Sequence, residues 1–301
     1  MGDESREWRA EFAGVLAHPA ENLVWVVPDG AGWALPRARV ARRLWIDEPG
    51  PVSGALGAAL GHPVRAYRYI AFREDREARR EAGIYALEGV DPPGPLPARG
   101  RWIGPGDLDT LAARPDERAA VAAYFADVAS GLEATRRPPW ARPGWFAGAA
   151  AWIAASLAGR GEALVAPVEQ VRSWSLSCVL RARTAAGAVY FKAATETDFF
   201  VNEPAVMAAL AARYPGQIPA PLAVDAARRW MLLDDFGPPL GWAAPLAAQE
   251  ALFRAHARLQ IATARQPAWL LAIGCIDRRL DRLAAQIDPL LADLDGLVGL
   301  D

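Results

Sequence analysis

The sequence is poor in the residues that announce chemistry most directly. Its 301 residues hold two cysteines, three histidines and almost no lysine. Cys178 and Cys275 lie far apart with no C-x-x-C spacing, which argues against a disulfide framework and a zinc site. The same scarcity fits a reducing cytoplasm, the expected location. The longest apolar-looking stretch, GWFAGAAAWIAASLAG, is Ala-rich and too short to span a bilayer, so no membrane partner is expected. The opening MGDESREWRAEF is polar and acidic and reads as no signal peptide. No charge of one sign dominates either. The formal net charge is −2, and arginines come in short groups (Arg42-Arg43, Arg79-Arg80, Arg136-Arg137) that read as solvated surface, which excludes a broad basic face for nucleic acid.

What is present suits a folded chain of two domains: 52% hydrophobic and 23% charged residues over this length. NLVWVVP (22–28), VRAYRYIAF (64–72) and AGIYALEGV (82–90) read as strands. A helix follows, with Ala120, Val121, Tyr124, Phe125 and Val128 on one face. The Pro-rich RRPPWARPGW (136–145) marks the expected domain boundary. Beyond it come an Ala-rich helix (145–158) and a meander of ALVAPVEQVRSWSL, SCVLRART and GAVYFKAA. A helix over 202–213 is expected to bury Val206, Met207 and Leu210, with Pro204 tolerated in its first turn. APLAVDAARRWMLLDDFG reads as two strands about a turn. PLAAQEALFRAHARLQIATA and DRRLDRLAAQIDPLLADL read as helices.

Within this order, Lys192 ends an apolar strand and Glu203 opens the next helix, eleven positions on. A lysine on a rigid strand can hold a point charge over the α and β groups of a triphosphate, and a carboxylate on the adjacent helix can fix its direction. A lysine snorkelling from a strand end beside a glutamate favouring a helix N-terminus is the plainer account of the pair alone.

The stretch from about Val165 to Leu283 resembles the aminoglycoside phosphotransferase family of the protein-kinase-like fold. The resemblance rests on VRSWSLSCVLRART, VYFKA, NEPAVMAALAARYPGQIPAPLAVD, WMLLDDFG and HARLQIATA, in that order. It implies that Lys192 holds ATP phosphates, that Glu203 orients it, and that backbone groups near Leu233 and Asp234 meet the adenine. Ser175 and Ser177, in a turn without glycine, become candidates for phosphate contacts. DDFG spells a kinase metal motif at Asp235, yet it stands forty-three residues after Lys192 and directly after WMLL, so it reads as hinge. The family's base comes from a His-Gly-Asp stretch. His18, His62 and His256 are followed by Pro19, Pro63 and Ala257, so none begins one. Mg2+ belongs to the complete family fold, but its ligands are not expected here. Asp288, Asp293, Asp295 and Asp301 read as solvated charges. Apolar faces carrying Leu280, Leu283, Ile287, Leu290 and Leu291 are expected to be exposed and to drive self-association.

WALPRARV, EPGPVSGALGAALGHPVRAYRYIAF and RWIGPGDLDTL, within roughly residues 22–126, resemble a Nudix domain that has lost its working part. A Nudix box gathers carboxylates on one helix to hold divalent cations. The corresponding PVSGALGAALG carries none, and Glu48 before it is no substitute for a cluster.

The expected fold is therefore α+β. A degenerate Nudix-like α/β domain (1–135) and a Pro-rich linker (136–145) precede a kinase-like domain (146–301). The last comprises a small lobe of antiparallel sheet plus one helix and an incomplete helical large lobe, truncated before the catalytic loop. The expected function is the ATP-binding half of a small-molecule phosphotransferase acting on an unidentified hydroxyl acceptor, inactive as this chain alone. The alternative is a non-catalytic nucleotide- or partner-binding protein built from two degenerate enzyme folds. A Nudix-type hydrolase is the poorer third.

Overall fold

The computed structural model describes residues 8–30, 32–90, 96, 99–131, 137–197, 200–238, 240–241 and 244–293. Arg136, Asp295 and Asp301 lie outside them. The chain divides into two compact units, Met1–Thr195 and Glu196–Asp301.

In the first unit, a mixed sheet is built around β1 (Arg9–Ala17). β1 runs parallel to β6 (Arg80–Gly89) and antiparallel to β2 (Val24–Asp29) and β4 (Arg37–Val40). β5 (Val64–Asp75) pairs with β6, while β3 (Gly32–Ala34) and β7 (Arg101–Ile103) pair with β2. Burial on both faces explains why β1 has no clean alternation: odd and even side chains both go inside. Phe12 and Leu16 face α1 (Pro49–Leu60), packing with Val52, Leu56 and Leu60. Val15 and Val24 face α2 (Pro115–Ser130), packing with Val121, Tyr124 and Phe125. The sheet is thus a layer between two helices, with a core on each side. The helical spacing read around Tyr124 is the one the α2 core uses.

The Pro-rich residues 137–145 belong to the first unit and are packed. Trp140 is buried, and its indole N–H donates to the Trp174 carbonyl at 2.8 Å. α3 (Trp145–Ala158) buries Phe146, Ala149, Ile153 and Leu157, one face at helical spacing. An antiparallel meander follows: β8 (Glu169–Ser173), β9 (Ser177–Thr184) and β10 (Gly187–Ala194). The strand expected to begin near Ala163 is shorter, starting only after Pro167, which has no N–H to give a ladder.

In the second unit, α4 (Glu203–Arg213) is capped by Asn202, whose Oδ1 accepts from the Ala205 N–H at 3.3 Å. Its buried residues are Pro204, Val206 and Ala211; Met207 and Leu210, expected in the buried stripe, are half-buried. β11 (Ala223–Asp225) and β12 (Trp230–Asp234) form a hairpin. α5 (Leu246–Ala264) and α6 (Pro267–Ala272) follow. The single helix expected over DRRLDRLAAQIDPLLADL is two, α7 (Leu280–Ala284) and α8 (Ile287–Ala292). Pro289 accounts for the break: it fits only a first helical turn, so a new helix has to start just before it.

Candidate functional site

The alternation of β10 answers why a lysine ends an apolar strand. Val189, Phe191 and Ala193 point into the unit, where Phe191 meets the rings of Trp145 and Trp152 at 6.0 and 5.7 Å. Tyr190 and Lys192 point to the other face. In register, Lys192 lies opposite Val179 of β9, which lies opposite Arg172 of β8. One row along, Tyr190 lies opposite Arg181, and Arg181 opposite Glu169. Arg181 and Arg183 both donate to Glu169, and Arg181 holds that carboxyl below the usual carboxylate range. Lys192 is half-buried in this polar face.

Composition makes that position stand out further. Lys192 is the sole lysine of the chain; the other thirty-two of its thirty-three basic residues are arginine (33 − 1). The scarcity of lysine is plain in the sequence, but its tie to this position comes only from the residue count.

The turn between β8 and β9 presents Ser175 at an exposed tip. Ser177 is buried, and its hydroxyl oxygen accepts from the Trp174 indole at 2.7 Å. Ser177 thereby braces the turn, together with the Trp140–Trp174 bond. Glu203 is the first residue of α4 and half-buried. It belongs to the second unit and Lys192 to the first. Leu233 is buried near the end of β12; Asp234 is exposed and accepts from the Asp235 N–H at 2.9 Å. Asp235 accepts from the Gly237 N–H at 2.8 Å, so the DDFG carboxylates tie down a turn. Asp288 and Asp293 are exposed. Among the described residues no group of three or more His, Cys, Asp or Glu side chains is placed to hold a metal ion.

α1 occupies the place the Nudix resemblance gives to a carboxylate helix, and its N-terminal half is covered by β8. The Ser53 hydroxyl bonds the Gln170 side chain at 2.7 Å, and Gln170 donates to the Ala66 carbonyl at 2.8 Å. Arg172 pairs with Asp47, and the Ser173 N–H donates to the Asp47 carbonyl at 2.7 Å. Gly50 is required by this approach: a Cβ there would lie 2.4 Å from the Gln170 carbonyl oxygen. Small residues let a strand lie where longer carboxylate side chains would stand. Glu48 pairs with Arg42 at 3.2 Å.

A charged cleft of about 160 Å³ lies between β4, β5, β6 and the start of α2. Its charges satisfy one another: Arg37 and Arg114 reach Glu117 at 2.6 and 3.0 Å, and Arg73 reaches Asp116 at 3.2 Å.

No helix among the described residues is long and apolar enough to cross a membrane. No family model matches the chain, and no curated protein matches it. Among solved structures, a Sinorhizobium meliloti 1021 protein named as an oxidoreductase is 18% identical, with a TM-score of 0.31 over 41% of this chain and 40% of its own. A Nudix hydrolase from Nitrosomonas europaea is 13% identical, with a TM-score of 0.32 over 42% of this chain and 76% of its own. The Nudix hydrolase RenU from M. smegmatis is 19% identical, with a TM-score of 0.28 over 42% of this chain and 87% of its own. This chain therefore spans less than half the length of the first of these relatives. Likenesses this slight carry no argument about activity. The layered sheet between α1 and α2 rests on its own geometry, which is that of an α/β domain within an α+β chain.

Proposed function

We propose that the chain is the nucleotide-binding side of a small-molecule phosphotransferase, with Lys192 as the charge that meets the ATP phosphates. One observation carries this reading. A chain that uses arginine thirty-two times keeps its single lysine near the end of a strand, on the polar face of a three-stranded meander. Arginine supplies charge equally well on a solvated surface, so a surface role gives no reason for the exception. A compact ammonium on a rigid strand supplies a point charge to a phosphate group, and a planar guanidinium of different reach and hydrogen-bond geometry does not simply replace it. In this reading Glu203 orients Lys192, Ser175 at the exposed tip meets phosphate, Ser177 holds that tip, and the backbone at Leu233 and Asp234 meets the adenine. Magnesium would offset phosphate charge in the complete family fold, and the described residues assemble no His, Cys, Asp or Glu group to hold it. No phosphate transfer by this chain alone is expected, since no histidine here begins a His-Gly-Asp stretch.

The sole lysine also supplies the test. An acyl-phosphate derivative of ATP transfers its acyl group to a nearby amine, and here only Lys192 and the N-terminus are available. Peptide mapping should find the adduct on Lys192, with excess ATP suppressing it. Lys192→Met should lower ATP affinity about tenfold, and Lys192→Arg should not restore it. Labelling that ATP leaves unchanged, or equal ATP affinity in all three proteins, removes the phosphate role.

A second reading, a binding protein without catalysis, is favoured by α1. Its face is free of carboxylates and occupied by β8, which leaves no room for hydrolytic chemistry at that place. Phosphate transfer to any hydroxyl compound by the purified chain would overturn it.

A further inference from the structure

The face of the first sheet that carries α2 runs on past the start of that helix and turns polar. Ala13 of β1 and Ile84 of β6 lie in the α2 core. Two residues back along each strand, on the same face, stand Glu11 and Ala82, and two further back stand Arg9 and Arg80. The strands are parallel, so Arg9 and Arg80 lie directly opposite each other on neighbours about 4.8 Å apart. Like charges in that position destabilise a sheet.

The protein does not answer this pair. Both side chains are exposed, and among the described residues neither makes a hydrogen bond or an ion pair. Asp75, opposite Arg80 from β5, has its Oδ1 on the Ala78 N–H at 2.8 Å. Glu81 is turned to the other side of the sheet, where it is buried and accepts from the Leu44 N–H at 3.0 Å. A cleft of about 630 Å³ lies over the two arginines and is lined also by Glu11, Arg39 and Arg114. Arg114 is spent on Glu117. Glu11 stands 3.8 Å from Arg37 and 3.7 Å from Arg39, beyond hydrogen-bond reach of both. Four guanidinium groups therefore surround one carboxylate, and the methyl of Ala82 leaves the floor of the cleft open.

Charge and shape narrow the ligand. Two unspent guanidinium forks, side by side, call for a group with two negative charges and several acceptor oxygens. A phosphomonoester carries about two charges at neutral pH on three oxygens, enough for both forks at once, whereas a single carboxylate matches one. The volume suits a small molecule. We propose that this cleft binds a small phosphomonoester, with Arg9 and Arg80 as its bidentate donors and Arg39 at the rim. The site lies on the α2 side of the first sheet and is independent of Lys192.

The test titrates the full, isotope-labelled chain with inorganic phosphate at neutral pH, following amide shifts, with acetate and sodium chloride at matched ionic strength for comparison. Phosphate should shift the amides of Arg9, Arg80 and Ala82 saturably, with a Kd of about 1 mM, and acetate should bind about tenfold more weakly. Arg9→Gln and Arg80→Gln should each weaken phosphate about tenfold, while Lys192→Met should leave these shifts as they are. A thermal melt in phosphate-free buffer confirms that each variant is folded, and either arginine variant suffices. Saturable shifts lost in such a variant support the site. Shifts that chloride reproduces at the same ionic strength, acetate binding as tight as phosphate, or unchanged affinity in a folded arginine variant overturns the proposal. Loss of the shifts in Lys192→Met overturns it too, by assigning the phosphate to the β8–β10 meander.

Discussion

α3 and α5 look alike as sequences and end in opposite environments. Both are Ala-rich with large apolar residues a turn apart. α3 buries Phe146, Ala149, Ile153 and Leu157, and its two tryptophans meet Phe191 of β10. α5 buries nothing: Leu246, Phe253 and Ile261 are 71%, 68% and 72% exposed. α7 and α8 continue the pattern, with Leu280, Leu283, Ile287, Leu290 and Leu291 all exposed, as expected from the sequence. An apolar stripe is a demand for a partner, and the same stripe is a core or a liability according to whether one is supplied.

The largest expected effect breaks this symmetry directly. Ile153→Ala should cost about 2–5 kcal/mol in the first unit, because its site is closed on every side. Leu252→Ala, on α5, should stay within about 0.5 kcal/mol of the parent. Chemical denaturation of both variants checks it, and comparable losses would mean that α5 is packed in solution. Phe253→Glu sharpens the same point: binding of a hydrophobic dye and light scattering should both fall.

A second contrast lies between two glycines of one helix. Gly50→Ala puts a methyl against the Gln170 carbonyl oxygen and should cost about 1–3 kcal/mol. Gly54→Ala, with nothing within 4 Å and an exposed helical position, should gain about 0.5–1 kcal/mol. Amide exchange of β8 reads the difference: it should speed up in Gly50→Ala alone. Equal exchange in the two variants would show that β8 does not depend on this close approach.

How far these features were legible follows from their range. β9, β10 and α3 could be read nearly to the residue, since alternation and helical spacing are local signals. The start of α4 was nearly as plain, because Pro204 fits only a first helical turn, whereas the Asn202 cap was not read. β1 gave no periodic signal, because both its faces are buried, and β3, β4 and β7 are short strands that exist through their neighbours. The covering of α1 by β8 joins residues more than a hundred positions apart, such as Ser53 and Gln170, and no local pattern encodes that. The candidate lysine was visible as a strand end, whereas its uniqueness lay in the composition.

The smallest expected effect compares two buried carboxylates. Burial alone would raise Glu117, but the hydrogen bond and charge of Arg37, helped by Arg114, hold it below the usual carboxylate range. Glu81 is raised by its burial, which outweighs the Leu44 N–H bond and the Arg43 charge. The signs are opposite. A depressed folded value means that protons prefer the unfolded chain. The Glu117 contribution is therefore present above the unfolded value of about 4.3 and lost as pH falls through the lower folded one. A raised folded value means that protons prefer the fold, so the Glu81 contribution is present below about 4.3 and lost as pH rises through its raised value. Glu117→Gln should thus cost about 1 kcal/mol at neutral pH and flatten the acid limb of the stability curve. Glu81→Gln should flatten the opposite slope and leave the acid limb in place. Melting temperatures across about pH 3 to 7 separate them, and an acid limb unchanged in Glu117→Gln would show that the Arg37 pair is not what holds α2 against the sheet.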